Sequence, residues 1–282
     1  MFAPICRSEP DAAPALERAQ GIIRGEFVAI GGRTRVARVY ETGGLRLRFP
    51  NVARGCEAVM INTGGGIVGG DEAHYAFESG PHSDVTITTQ AAEKIYRARS
   101  GALDDRAHVQ VHLTAASGAR LEWLPQETIL FDGSRLSRTL DVDMSQDASL
   151  TLLESTIFGR HAMGEQTISG AFHDRWRVRR AGKLIFAEDF RLDGALSSTL
   201  ERPACGGGAR AVATMLLVAP DAEARLDRVR DSLEAARCDW GASAWNGFML
   251  VRLASPAAEH VRATIVMLLC ELRGRDAPRV WN

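Results

Sequence analysis

Two stretches of this chain can be laid on one another. "ARLEWLPQETI", Ala119 to Ile129, matches "ASLTLLESTI", Ala148 to Ile157, with one residue skipped, and "DVTITTQAAEKI", Asp84 to Ile95, resembles both more loosely. A unit of ~30 residues repeated about three times constrains the fold more than any single element, because such a unit buries its apolar face only against a neighbour. The repeat suggests β layers stacked in a coiled, solenoid-like way. Chance resemblance between short β segments is the competing reading.

The local pattern agrees with strands. From about Gly21 to Leu192 the dominant period is two: "HVQVHLT" sets Val109, Val111 and Leu113 against His108, Gln110, His112 and Thr114, and "TLDVDMS" sets Leu140, Val142 and Met144 against Asp141 and Asp143. Turn signals recur at Gly101, Gly118, Asp132-Gly133, Gly170, Gly182 and Asp193-Gly194. The first twenty residues, rich in Ala, Pro and charge, read as a flexible tail, and residues 21–282 as a single domain with a β-rich part at 21–204. The character changes after "CGGGAR". Residues 205–282 read β-α-β-α: a strand "AVATMLLVA"; a helix that Asp221 can cap, with Ala222, Leu226, Val229 and Leu233 on its stripe; a strand "GFMLVRLA"; and a helix opened by Ser255-Pro256, with Val261, Ile265, Leu268 and Leu272 on its stripe. The expected class is mainly β with two C-terminal helices.

Composition removes several functions. A formal net charge of −1 gives no global drive toward nucleic acid or an anionic membrane. Arg175, Arg177 and Arg179 in "RWRVRR" form one basic strand face, which is either a solvated face or an anion site. Five scattered cysteines without C-x-x-C argue against a disulfide framework or a zinc module. No apolar run approaches the ~20 residues of a membrane span, and a cytoplasmic, reducing location is the default expectation.

"NTGGGIVGGD", Asn62 to Asp71, satisfies G-x-G-x-x-G, but the segment after it shows no helical stripe and would put Gly69 and Gly70 into a helix's first turn. Neither Lys94 nor Lys183 is followed by Ser or Thr, so the other phosphate loop is absent as well. The cluster reads as a turn needing φ > 0 or close backbone approach. "GASAW", Gly241 to Trp245, lacks the last glycine of a nucleophile elbow. His108 and His112 share a strand face ~13 Å apart and cannot chelate one ion together. Five carboxylates hold more interest: Asp71 after the glycine turn, Glu127 and Asp132 around "TILF", Glu154 and Glu165 around "STIFGRHAMG". Such groups serve as glycosidase acid and base, as transient oxygen ligands of a divalent metal, or simply as turn caps and arginine partners.

The set "NTGGGIVGGD", "TTQAAEKIYR", "LEWLPQETILFDGSRL", "FGRHAMGE", "RLDG" and "PRVWN" resembles the urease accessory protein UreD (UreH) family, from about Arg38 to the end. A third glycine at Gly66 and Glu93 in the second motif are small departures. The resemblance implies a coiled β fold with two C-terminal helices and a non-enzymatic scaffold. Such a scaffold binds apo-urease, recruits UreF and, through it, the GTPase UreG, and assists nickel delivery without a tightly bound cofactor. It also implies that Asp71, Glu127, Asp132, Glu154 and Glu165 lie on or support a transient nickel path. The alternatives are a carboxylate-dependent β-fold hydrolase, which predicts two carboxylates ~5–10 Å apart in a cleft, and a basic-face module whose binding falls with salt.

Overall fold

The computed structural model describes residues 18–98, 105–160, 163–165 and 168–281. Most of the expected N-terminal tail lies outside the described residues. A hairpin opens the chain, β1 (Gln20–Ile30) with β2 (Arg33–Thr42), followed by the short β3 (Leu45–Arg48). The chain then alternates between two sheets. β4 (Cys56–Asn62), β6 (Asp84–Thr89), β9 (Arg120–Leu124) and β12 (Ser149–Phe158) lie side by side in one, and β5 (Glu72–Ser79), β8 (Ala107–Ala115), β11 (Ser134–Met144) and β13 (Gly170–Arg180) in the other. Neighbours within each set are parallel. A parallel pair needs a crossover, and here each crossover is a strand of the opposite sheet, so the chain winds as a flattened coil. The coiled β class expected from the repeat is what forms.

The one-residue skip is visible in the ladders. Arg120 pairs with Ser149, an offset of 29, whereas Thr128 in β10 (Thr128–Leu130) pairs with Thr156, an offset of 28. One coil earlier Asp84 pairs with Arg120, an offset of 36, and Glu93 in β7 (Glu93–Ile95) with Thr128, an offset of 35. Equivalent residues therefore sit directly above one another, and the internal similarity is the register of the stack.

Burial follows coverage. β11 has one face against the other sheet, and Leu136, Leu140, Val142 and Met144 are buried at every second position. β12 is covered on both faces and is buried almost continuously. Leu150 and Leu152 enter the inter-sheet core with Trp123 and Leu121, whereas Leu153 packs with Leu124, Met215 and Leu268 under the C-terminal helices. Each fully buried leucine of this kind is worth about 2 kcal/mol of transfer free energy.

Both ends of the coil are closed by antiparallel strands. β2 covers β1, and β14 (Lys183–Gly194) covers β13; each hairpin carries a register shift, at Glu26/Phe27 and at Val178/Arg179. The second sheet continues through β15 (Ala211–Val218), β17 (Phe248–Ser255) and β16 (Asp239–Trp245).

The C-terminal part extends the expected β-α-β-α by two elements. α1 (Leu196–Glu201) precedes it, and "GASAW" belongs to β16, a hairpin partner of β17. α2 (Leu226–Leu233) follows a 3-10 turn at Glu223–Arg225, and the expected Asp221 cap does not form: both Asp221 contacts go to Arg225, at 2.8 and 2.5 Å. The helix proper begins at Leu226, so its cap position falls at Arg225 and Asp221 stands too early in the chain to fill it. α3 (Ala258–Arg273) starts two residues after Pro256, with Ser255 Oγ accepting the Ala257 N–H at 3.1 Å. Its stripe of Val261, Ile265, Leu268 and Leu272 is buried as expected, and Gly274 ends it at φ 61°. No helix among the described residues is long and apolar enough to cross a membrane.

Candidate functional site

The glycine turn leads into strand β5 and not into a helix, so its N–H groups do not form a helix-end anion cradle. Its purpose is close approach. A Cβ on Gly66, at φ 154°, would lie 2.3 Å from the Tyr96 ring and 2.8 Å from the Lys94 carbonyl oxygen. That clearance lets Ile67 pair with Ile95, its N–H donating to Lys94 O at 2.8 Å. Asp71 fastens the turn, accepting the Ala19 N–H at 2.8 Å and the Val68 N–H at 2.9 Å. Asn62 Nδ2 donates to Gly66 O at 3.2 Å and to Glu93 at 3.1 Å.

Glu154 occupies the space between the sheets. It is 4 % exposed and accepts the Trp123 indole N–H at 2.9 Å. Its other oxygen accepts from Arg138, which also reaches Thr128 Oγ1 at 3.2 Å and grips Asp174 through two bonds at 2.9 and 2.6 Å. One guanidinium thus serves two buried carboxylates. Burial pushes the Glu154 carboxyl up to about 7; Arg138 opposes the rise and Asp174 adds to it. This group also stands between two cavities. One of about 380 Å³ is lined by Asp174, Glu188, Asp239, Cys205 and Trp176, whose buried indole N–H has no acceptor among the described residues. The other, about 50 Å³, is lined by Tyr75, Glu93 and Gln126. Arg138 and Glu154 line both.

The remaining expected carboxylates are dispersed and engaged. Glu127 accepts from Arg262 of α3 at 2.8 and 2.9 Å, and Arg262 also donates to Trp281 O at 3.0 Å. Asp132 pairs with Arg97 and accepts from Ser169 N at 3.0 Å. Glu165 is held by Arg160, at 3.1 and 2.5 Å, and these bonds keep its carboxyl below the usual range. Asp132 and Glu165 share one loop corner, where the Asp132 backbone adds slightly to the lowering of the Glu165 carboxyl; Asp71, Glu127 and Glu154 lie elsewhere. Among the described residues no three His, Cys, Asp or Glu side chains converge as a metal cage. The basic strand is paired: Asp141 faces Arg175 at 3.5 Å and Arg179 at 3.9 Å, and Asp189 faces Arg177 at 3.6 Å.

Sequence reasoning missed Arg138 and Asp174. The signal was parity: Arg138 falls in step with Leu136 and Leu140, and Asp174 with Phe172 and Trp176, so each places a charge on a buried face. Glu122 repeats the signal in step with Leu124.

A family model described as UreD urease accessory protein matches residues 19–282. The chain belongs to the UreD urease accessory protein family. The match begins at the first strand, earlier than the motif resemblance alone. Proteins named urease accessory protein UreD resemble it along nearly their whole length. The one from Xanthobacter autotrophicus is 46% identical over 279 residues, covering 97% of this chain and 95% of that protein. The one from Beijerinckia indica is 47% identical over 269 residues, covering 95% and 98%. One from Rhodopseudomonas palustris is 46% identical over 268 residues, covering 95% of each. Membership in the UreD family gives this chain a role in urease maturation.

Proposed function

We propose that this UreD-family protein is a non-enzymatic, cytoplasmic scaffold that binds apo-urease, recruits UreF and through it the GTPase UreG, and passes nickel toward the urease active site. The observation that supports nickel passage is Glu154, a buried carboxyl shared by two interior cavities. Nickel is cargo here and has to leave, so isolated oxygen donors along a wet interior suit it better than a closed cage. Glu154 is the path residue. Asp71, Glu127, Asp132 and Glu165 support the path by fixing the loops and α3 around it.

A carboxylate-dependent hydrolase fits less well. It needs an acid and a base facing a scissile bond, whereas Arg138 stands between Glu154 and Asp174 and occupies both Asp174 oxygens. The test replaces Glu154 and Glu127 by alanine, with Glu154→Gln beside them, and measures nickel in urease after maturation with the accessory complex still assembled. Loss of loading with Glu154→Ala and Glu154→Gln is expected. Full loading in all three removes Glu154 from the path and Glu127 from its support.

A further inference from the structure

A cleft of about 470 Å³ lies between residues 51–57 and the segment 274–279 that follows α3. Its floor is a buried charge group. Glu122, 0 % exposed, accepts from Arg120 at 3.0 Å, Arg273 at 3.0 Å, Arg275 at 3.1 Å and Thr86 at 2.6 Å. Asp84 accepts from Arg275 at 3.2 Å and faces Arg54 at 3.3 Å.

The residues that this packing leaves incompletely partnered line the cleft. Arg279 lines it and has no hydrogen-bond or ion-pair partner among the described residues. The Nε–H of Arg275, itself closed off from solvent, has no acceptor among the described residues. Glu57, 8 % exposed, lines the same cleft with no hydrogen-bond partner among the described residues. Burial raises its carboxyl despite the charges of Arg273, Arg275 and Arg279. A ligand that engages both the Arg279 guanidinium and the Glu57 carboxyl must accept from the first and donate to the second. Val52, Ala53, Ala277 and Pro278 give the cleft an apolar wall, and its volume is in the usual ~300–1,000 Å³ range of small-ligand sites. A bare cation is the wrong occupant. Five arginines line or rim the cleft, and the Cys56 thiol beside Glu57 is pushed up to about 11, chiefly by burial.

We propose that this cleft binds an organic oxyanion, a carboxylate or phosphate carried next to an N–H or O–H donor, with the anion on Arg279, Arg54 and Arg275 and the donor on Glu57. The site is separate from the nickel path and does not depend on it. Two sources share this chemistry, a free phosphate-type anion and the carboxy-terminal end of a partner polypeptide. The experiment is calorimetric titration of the full chain with inorganic phosphate, with acetyl-glycyl-alanyl-valyl-leucine bearing a free carboxylate, and with the same peptide as its carboxy-amide. Wild type, Arg279→Ala, Arg54→Ala and Glu57→Gln are compared. Binding of the free-acid peptide, weakened at least about tenfold by amidation and by Arg279→Ala, supports a chain-end ligand, with Glu57→Gln weakening the peptide as well. Binding of phosphate alone, with the same loss in Arg279→Ala, supports a free anion. Absence of binding by both anions, or binding that neither Arg279→Ala nor Glu57→Gln changes, overturns the proposal. Arg279 is exposed and unpaired among the described residues, so its removal leaves the fold intact, and Arg54→Ala provides a second reading at the cleft rim.

Discussion

The molecule buries charge in two places with opposite surplus. Between the sheets, one guanidinium, Arg138, serves two carboxylates, Glu154 and Asp174. Beneath α3, one carboxylate, Glu122, serves three guanidiniums, Arg120, Arg273 and Arg275. Neither network is required for stability, since well-packed apolar residues often do as well or better in such places. The surplus sets what each site attracts. An excess of carboxylate in a cavity wall suits a cation or a proton, and an excess of guanidinium suits an anion.

The sharpest way to break this comparison is Arg138→Met. It leaves two carboxylates in the core, and urea unfolding is expected to show a loss of about 4 kcal/mol. Adding Glu154→Leu and Asp174→Leu to it is expected to recover most of that loss, which separates the cost of unpaired charge from the cost of packing.

The next effect is on pH. The Glu154 carboxyl is raised in the folded chain from 4.5 to about 7, so the native state holds its proton more tightly than the unfolded chain does. Its contribution is full below pH ~4.5 and is lost as pH rises toward about 7, a change on the order of 3 kcal/mol. Glu154→Gln keeps the shape and is expected to flatten that part of the stability profile, measured as unfolding midpoints between pH 5 and 8. A slope unchanged by the substitution assigns the proton to another group.

Glu122→Gln is expected to cost less, about 2 kcal/mol by the same unfolding measurement. Arg120 and Arg275 are partly exposed and can turn to water, and the buried Arg273 keeps the Asp276 carbonyl as an acceptor, whereas Glu154 and Asp174 are buried and lose the cation they share. A loss as large as that of Arg138→Met removes the distinction between the two sites. The smallest effect belongs to the basic face of β13. Arg175→Ala and Arg179→Ala are expected to change stability by less than ~0.5 kcal/mol each, because both half-buried pairs with Asp141 are long and still reach solvent.

The coil was legible in the sequence because stacking equivalent rungs makes their residues alike, down to the skip between Arg120/Ser149 and Thr128/Thr156. The apolar stripes of α2 and α3 were legible for a similar reason, a period tied to one buried face. β16 was not: Gly241, Ala242 and Ser243 have weak strand preference, and the strand is held by pairing with β17. Of the expected carboxylates, Glu154 proved to line a cavity. Its partner Arg138 is 16 residues away, and Asp174 is 36 residues from Arg138, on strands of the opposite sheet. No local pattern carries such a pairing, although the parity of Arg138 and Asp174 marks each as buried.

The bulged hairpins at the two ends of the coil bear on how copies of this chain behave when crowded. Parallel rungs that stack by register resemble a growing polymer, able in principle to add the next layer from another molecule. β2 and β14 interrupt that growth, because a register shift in each terminal hairpin twists the outermost strand out of line with a flat partner. Arg33, Arg35 and Arg38 on one rim repel a second copy of the same rim. Both outer strands of that sheet, β2 and β14, are thereby poor templates for a further layer.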